Sequence, residues 1–192
     1  MIRTPLFYRF MCWYDAYWRR KHGVEKFDEL LSFSLEQYAG DRFIMDDGTA
    51  IEPGDCLVIL HFNRECFTGS SANPKDYIRN ALRFRKLLLS SFGQLANVIN
   101  TDEKFVPVKA FHGISWLPPH GEKLGFRIER LPDSMLNQIR RLYFKVLLKT
   151  FFPHIASAAK NSIHPHAYWL SRRDLIKNFA TEHENEFLIK QQ

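Results

Sequence analysis

Hydrophobic and polar positions switch period several times along the chain, and each switch marks an element. At 100° per residue Leu6, Phe7, Phe10, Met11, Trp13, Tyr14, Tyr17 and Trp18 share one half of a helix, and Arg9, Asp15, Arg19 and Arg20 take the other. Thr4 as N-cap and Pro5 at the first helical position start it. Leu31, Phe33 and Leu35 then alternate with Ser32, Ser34 and Glu36, the period of a half-buried strand over residues 31–38. Residues 42–45 predict a further strand, Asp47-Gly48 and Pro53-Gly54 two turns, and residues 56–63 a strongly apolar strand.

The period returns to helical after Asn73, Pro74 and Asp76, an N-cap, an N1 proline and an early acid. This helix is expected to run to about Phe92. Tyr77, Ile78, Ala81, Phe84, Leu88, Leu89 and Phe92 form its apolar face, with Arg79, Arg83, Lys86 and Ser90 opposite. Residues 109–117 and 123–131 predict two strands separated by Pro118-Pro119-His120-Gly121. Asp133 or Ser134 caps a second long helix ending near Pro153. Met135, Leu136, Ile139, Leu142, Tyr143, Val146, Leu147 and Thr150 are its expected core stripe, and Arg141, Lys145 and Lys149 a basic stripe opposite. Phe144 and Leu148 lie beside that basic stripe and need a cover. Residues 154–166 read as a loop, and Ser171 with Asp174 as a capping box for a short final helix. The order predicts an α+β fold: a mainly antiparallel sheet, two long helices on one face, an N-terminal amphipathic helix over residues 1–22 and a short C-terminal helix.

Composition narrows the class further. With 192 residues, 45% hydrophobic and 25% charged, the chain is expected to form a single domain over 1–192. Folding at that length buries about 70% of the unfolded surface, so disulfide staples are not needed. Disordered, collagenous and repeat architectures are excluded. Lys and Arg outnumber Asp and Glu by 27 to 21, a formal charge of +6 that admits anionic partners and selects none. Cys12, Cys56 and Cys66 cannot all pair, and their spacing suggests no zinc site, so a cytoplasmic chain with reduced thiols is expected. The aromatic N-terminus is interrupted by Arg9 and Asp15, and a helix over residues 5–20 spans only about 24 Å of a roughly 30 Å hydrocarbon core. It is therefore expected neither to export nor to span. The favoured reading docks it on its own domain; the other lays residues 5–21 on a membrane surface, peripheral at the inner face.

Candidate chemistry sits on the strands. The strand over 56–63 puts His61 and Asn63 on one side, the next places His112 between Phe111 and Gly113, and the third gives Arg127 and Glu129 a shared face. His61 is the candidate general base, with His112 as a second imidazole; a hydrogen-bonded core histidine is the plainer reading of either. Arg85 falls within the apolar face of the first long helix, where a guanidinium must snorkel, pair with a carboxylate such as Glu129, or meet an anionic ligand. His164-Pro165-His166 fixes no ligand geometry. There is no HExxH, P-loop, GxGxxG or GxSxG, so no metal or cofactor is expected. Nucleic acid ranks last as a partner, since the basic stripe comes with no recognition motif.

Three segments carry a resemblance: DGTAIEPGDCLVILHFN, then HGISWL followed by EKLGFRIERLP, then HAYWLSRRDL. Together they resemble the YkoP-like domain family across most of the chain. Members of that family occur as short stand-alone bacterial proteins and as a region attached to polysaccharide deacetylases. The resemblance thus implies envelope polysaccharide or glycolipid metabolism, with an accessory or ligand-binding role, an anionic or sugar-containing ligand and a protein partner in that metabolism. Deacetylase chemistry does not carry over. The matched segments contain His61, Asn63, Gly125, Phe126 and Trp169 to Arg172, and His61, Asn63, Arg85 and Arg172 are the expected pocket residues, joined by His112, Arg127 and Glu129. A hydrolase or transferase using His61 as base is the competing expectation.

Overall fold

The computed structural model describes residues 5–63, 74–115, 121–151 and 164–180. Cys66, Asn73, residues 118–120 of the expected turn and residues 154–163 of the expected loop lie outside the described residues.

Helix α1 (Pro5–Lys21) comes first. Gly23, at φ +58°, ends it, and the Val24 amide donates back to the Arg19 carbonyl at 2.9 Å. Strands β1 (Glu25–Lys26) and β2 (Leu31–Gln37) follow, then the small hairpin β3 (Phe43–Ile44) and β4 (Ala50–Ile51), and β5 (Cys56–Phe62). Helix α2 (Pro74–Thr101) crosses back to β6 (Val108–Ser115). Strand β7 (Arg127–Arg130), helix α3 (Met135–Phe151), strand β8 (His166–Ser171) and helix α4 (Arg172–Phe179) complete the described order. The main sheet has six described strands in the order β1-β2-β5-β6-β8-β7, all pairs antiparallel except β5 with β6. The α+β class and mainly antiparallel sheet are as expected.

Alternation along each strand gives the sheet two unlike faces. One carries Phe33, Val58, Phe111 and Leu170, covered by Phe92, Leu95, Ala96 and Ile99 of α2 and by Leu175 and Phe179 of α4. Each such large side chain contributes about 1.5–3 kcal/mol on burial, so this is the main core. The other face holds Leu57, Ala110, Ala167 and Trp169, roofed by Met45 and Ile51 of the hairpin. Beside Ile59 and Ile114 it also carries polar side chains: Ser32 and Ser34 of β2, His61 of β5 and His112 of β6. Of the two long helices expected on one face, α2 packs there, joined by the short C-terminal helix α4. Helix α3 stands toward the His112 side, its Arg140 close enough for the charge to act on that imidazole.

Three expectations change. Helix α2 continues past Phe92 and Gly93 to Thr101, because burying Leu95, Ala96 and Ile99 outweighs the roughly 1 kcal/mol cost of an internal glycine. The strand expected over 123–131 shrinks to β7, since residues 121–124 form a 3-10 turn and Gly125 sits at φ +84°. That φ lies in the left-handed region, so a side chain at Gly125 would be strained, and its Cβ would also displace the Asn178 amide. Most consequentially, residues 166–171, of which His166 closes the expected loop and 167–170 carry no expected element, form the interior strand β8.

Arg172 closes the main core. Its guanidinium donates to the carbonyls of Ile99 (2.5 Å), Phe105 and Val106 (3.3 Å), satisfying groups at and beyond the end of α2. Charged hydrogen bonds contribute about 1.5–3 kcal/mol net. We expect Arg172→Ala to lower stability by about 3 kcal/mol in urea denaturation, and Arg172→Lys to recover only part of it, since one ammonium cannot reach three carbonyls.

Candidate functional site

Helix α1 meets the polar sheet face through a knot of hydrogen bonds centred on Asn63. The Asn63 side-chain amide donates to the carbonyls of Asp28 (3.0 Å), Glu29 (3.2 Å) and Leu31 (3.0 Å), and its backbone N–H donates to Leu30 (2.7 Å). Its side-chain oxygen accepts from Arg19 (3.2 Å) and from the Ser32 hydroxyl. Arg19 also donates to Ser32 at 3.0 Å and pairs with Asp15 at 3.5 Å. Asn63 is 1% exposed, so its polar atoms are committed to the fold rather than to a ligand.

His61 lies opposite Ser32 in the antiparallel register, under the edge of the Trp18 indole at 5.2 Å between ring centres. Its Nε2 is buried and has no hydrogen-bond partner among the described residues. Burial, reinforced by the charges of Arg19 and His22, pushes its pKa down to about 4. His112 projects from the same face one strand over, stacked on Trp169 at 4.0 Å, with Nδ1–H donating to the Tyr168 carbonyl at 3.2 Å. It too is driven to about 4, because burial and the nearby Arg140 outweigh the Tyr168 bond and the charge of Glu129. Both imidazoles are neutral at pH 7. A general base needs a nucleophile or water within reach. Beside His61 lie the Trp18 indole, the charged Arg19, the His22 imidazole and a serine hydroxyl already engaged by Asn63 and Arg19.

The other expected site residues are placed elsewhere. Arg127 pairs with Glu129 at 2.6 Å, donates to the Ile44 carbonyl at 2.7 Å and lies over the Phe43 ring, so the pair clamps the hairpin to the sheet. Glu129 is thus Arg127's partner and not Arg85's. Arg85 is exposed, and a solvated guanidinium needs no buried counter-charge. Arg172 caps α2. His61 and Asn63 therefore share one locus, His112 stands near Glu129 and its partner Arg127 in another, and the residue that joins the first pair is Arg19, which the wheel sets opposite the apolar half of α1.

That assignment shows what the helical wheel misjudged. Helix α1 turns Asp15, Trp18 and Arg19 inward, while Trp13 is 63% and Tyr17 54% exposed, alongside exposed Arg9, Arg20 and Lys21. Helix α3 is reversed in the same sense. Its inward side carries Asn137, Arg140, Arg141 and Phe144, and its expected core stripe is outside, with Met135 80%, Ile139 58% and Leu142 64% exposed. Asn137 donates to the Pro132 carbonyl at 2.9 Å and accepts from Arg140 at 2.9 Å. Leu147 and Thr150 lie outside the described side chains.

A separate open cleft of about 580 Å³ lies between the hairpin and α4, lined by Asp46, Asp47, Glu122, Arg127, Asp174 and Lys177 among others. The Ser171 hydroxyl donates to Asp47 at 2.6 Å and accepts from the Asp174 amide at 2.9 Å, the expected helix cap. Burial and the neighbouring Asp47 raise the Asp174 carboxyl.

The fold and site define a small α+β domain with one apolar sheet face, one face of mixed apolar and polar side chains, and two helices that display apolar side chains outward. The chain matches the YkoP domain over residues 6–179 and belongs to that family. It is 27% identical over 94 residues to the "Uncharacterized protein YkoP" of Bacillus subtilis (strain 168), a stretch covering 49% of this chain and 51% of that protein. The similarity thus spans about half the length of that relative. No solved structure matches the chain.

The lowered imidazoles make stability pH-dependent. Unfolded histidines titrate near 6.5, so above that both states are neutral and stability is complete. Between about 6.5 and 4 the unfolded chain takes up protons that the folded state refuses, and stability falls. We expect His61→Gln and His112→Gln each to remove about 2 kcal/mol of the stability lost between pH 7 and 4.5, read by urea denaturation.

Proposed function

We propose that this chain is a peripheral, non-catalytic binding domain that docks on an anionic membrane surface through the outward sides of α1 and α3. One observation carries the reading: Asp15 and Arg19 of α1 and Asn137, Arg140 and Arg141 of α3 are turned inward beside Trp18 and Phe144, while Trp13, Tyr17, Met135, Leu136, Ile139 and Leu142 stand outward. Exposed large apolar groups in such number mark an interaction surface. Aromatic rings flanked by Arg9, Arg20 and Lys21 on α1 match the interface between headgroups and acyl chains, where tryptophan and tyrosine settle and cations meet anionic lipid. No described helix is long and apolar enough to cross a membrane. The resemblance to domains attached to polysaccharide deacetylases supports a bacterial envelope setting, at the inner leaflet, where the domain holds an anionic or sugar-containing component for a protein partner in polysaccharide or glycolipid metabolism.

Vesicle co-sedimentation tests the docking. We expect wild type to bind phosphatidylglycerol vesicles but not phosphatidylcholine ones, and to be released as salt shortens the Debye length. Trp13→Ala with Tyr17→Ala, and separately Leu136→Gln with Ile139→Gln, should each weaken binding by about tenfold, on the order of 1.4 kcal/mol of lost apolar burial. Trp18→Ala, on the inward side, should lower the melting temperature instead. Unchanged binding in both double variants would overturn the proposal.

A further inference from the structure

The end of the sheet where β7 leaves and β8 enters collects positive charge. Arg130, the last residue of β7, stands opposite His166, the first of β8, in the antiparallel register. Arg141 of α3 reaches the same corner and donates from Nη2 to Asp133 at 2.7 Å. His164 completes it: the charges acting on this imidazole are Arg130 from β7, Asp133 from the following loop, Arg141 from α3 and His166 from β8. The Asp133 carboxylate, its side chain 66% exposed, thus answers the charges of Arg141, Arg130 and His164.

Their hydrogen bonding is incomplete in a consistent way. Three ring or guanidinium nitrogens here are buried and have no hydrogen-bond partner among the described residues: Arg141 Nε, His164 Nδ1 and His166 Nδ1. A buried nitrogen without a partner costs about 1–3 kcal/mol. Asp133 uses Nη2 of Arg141 and leaves Nε open, although these two donors form the fork that a planar or tetrahedral oxyanion bridges. Burial and the two arginines hold His164 below its ordinary range, the response of an imidazole in an excess of positive charge. A bound anion would offset that excess and offer acceptor oxygens where nitrogens lack them.

We infer that Arg130, Arg141, His164 and His166 form an oxyanion site for a phosphate group, carried by a soluble phosphomonoester or by a lipid headgroup. The site uses none of the residues that put α1 on a membrane, and it stands whether or not that docking occurs. Phosphate fits because it is multiply charged and presents several acceptor oxygens to donors converging from three elements.

The test is an imidazole NMR titration of the full chain with and without inorganic phosphate. We expect millimolar phosphate to raise the His164 titration midpoint by about one unit and to raise the melting temperature through binding to the folded state. Arg130→Gln, at an exposed position that should not disturb folding, should weaken the phosphate response by about tenfold, and Arg141→Gln by at least as much. Glycerol 3-phosphate reproducing the response would assign a soluble phosphomonoester. A response confined to phosphatidic acid vesicles, absent with phosphatidylcholine, would assign a lipid headgroup. Each of these supports the site. A His164 midpoint unmoved by all three probes, or a shift equally large in Arg130→Gln, would overturn it, as would a response to zinc ions with none to phosphate.

Discussion

A buried polar group must find a partner, and the sheet face bearing Ser32, Ser34, His61 and His112 imposes that demand on whatever lies across it. Asn63 is where the demand is met most fully. It ties the Asp28–Leu31 turn to the end of β5 and, through Arg19, draws α1 onto the sheet. An apolar helix face laid there would strand the serine hydroxyls and the asparagine carbonyl, at a cost comparable to the burial it gained. The helix that does lie there brings an arginine.

The same constraint decides the outside of the molecule. Once α1 and α3 direct Arg19, Asn137, Arg140 and Arg141 inward, their amphipathic sequences leave Trp13, Tyr17, Met135, Ile139 and Leu142 facing away. The opposite face of the sheet shows the ordinary arrangement, with α2 and α4 burying aliphatic and aromatic side chains against Val58, Phe111 and Leu170. One sheet thus supports two kinds of helix packing, and the unusual one produces the surface on which the functional proposal rests. The pairs that sequence placed in a pocket serve this construction. Arg127 with Glu129 holds the hairpin, and Arg172 holds the end of α2.

Local signals were legible and long-range ones were not. The alternation of β2 and the Ser171 cap depend on residues within a few positions of one another, and each was readable. Arg172 as a cap was not, because the Ile99 carbonyl it satisfies lies 73 residues away. Strand β8 was half hidden by the histidines and proline before it, although Ala167 and Trp169 do alternate with His166 and Tyr168. A helical wheel separates the apolar half of α1 or α3 from the polar half but carries no information on which half meets the protein. That depends on the face below, and His61 with Asn63 on one side of β5, beside the serines of β2, was the available sign that this face is polar.

Hydroxyl-radical footprinting of the full chain without lipid measures the reversal of α1 and α3 directly. The account predicts that Met135 and Trp13 oxidise at rates near those of free peptides, while Trp18 and Trp169 are protected. Protection of Met135 and Trp13 to the level of Trp169 would mean that their stripes face the core after all, and would contradict it.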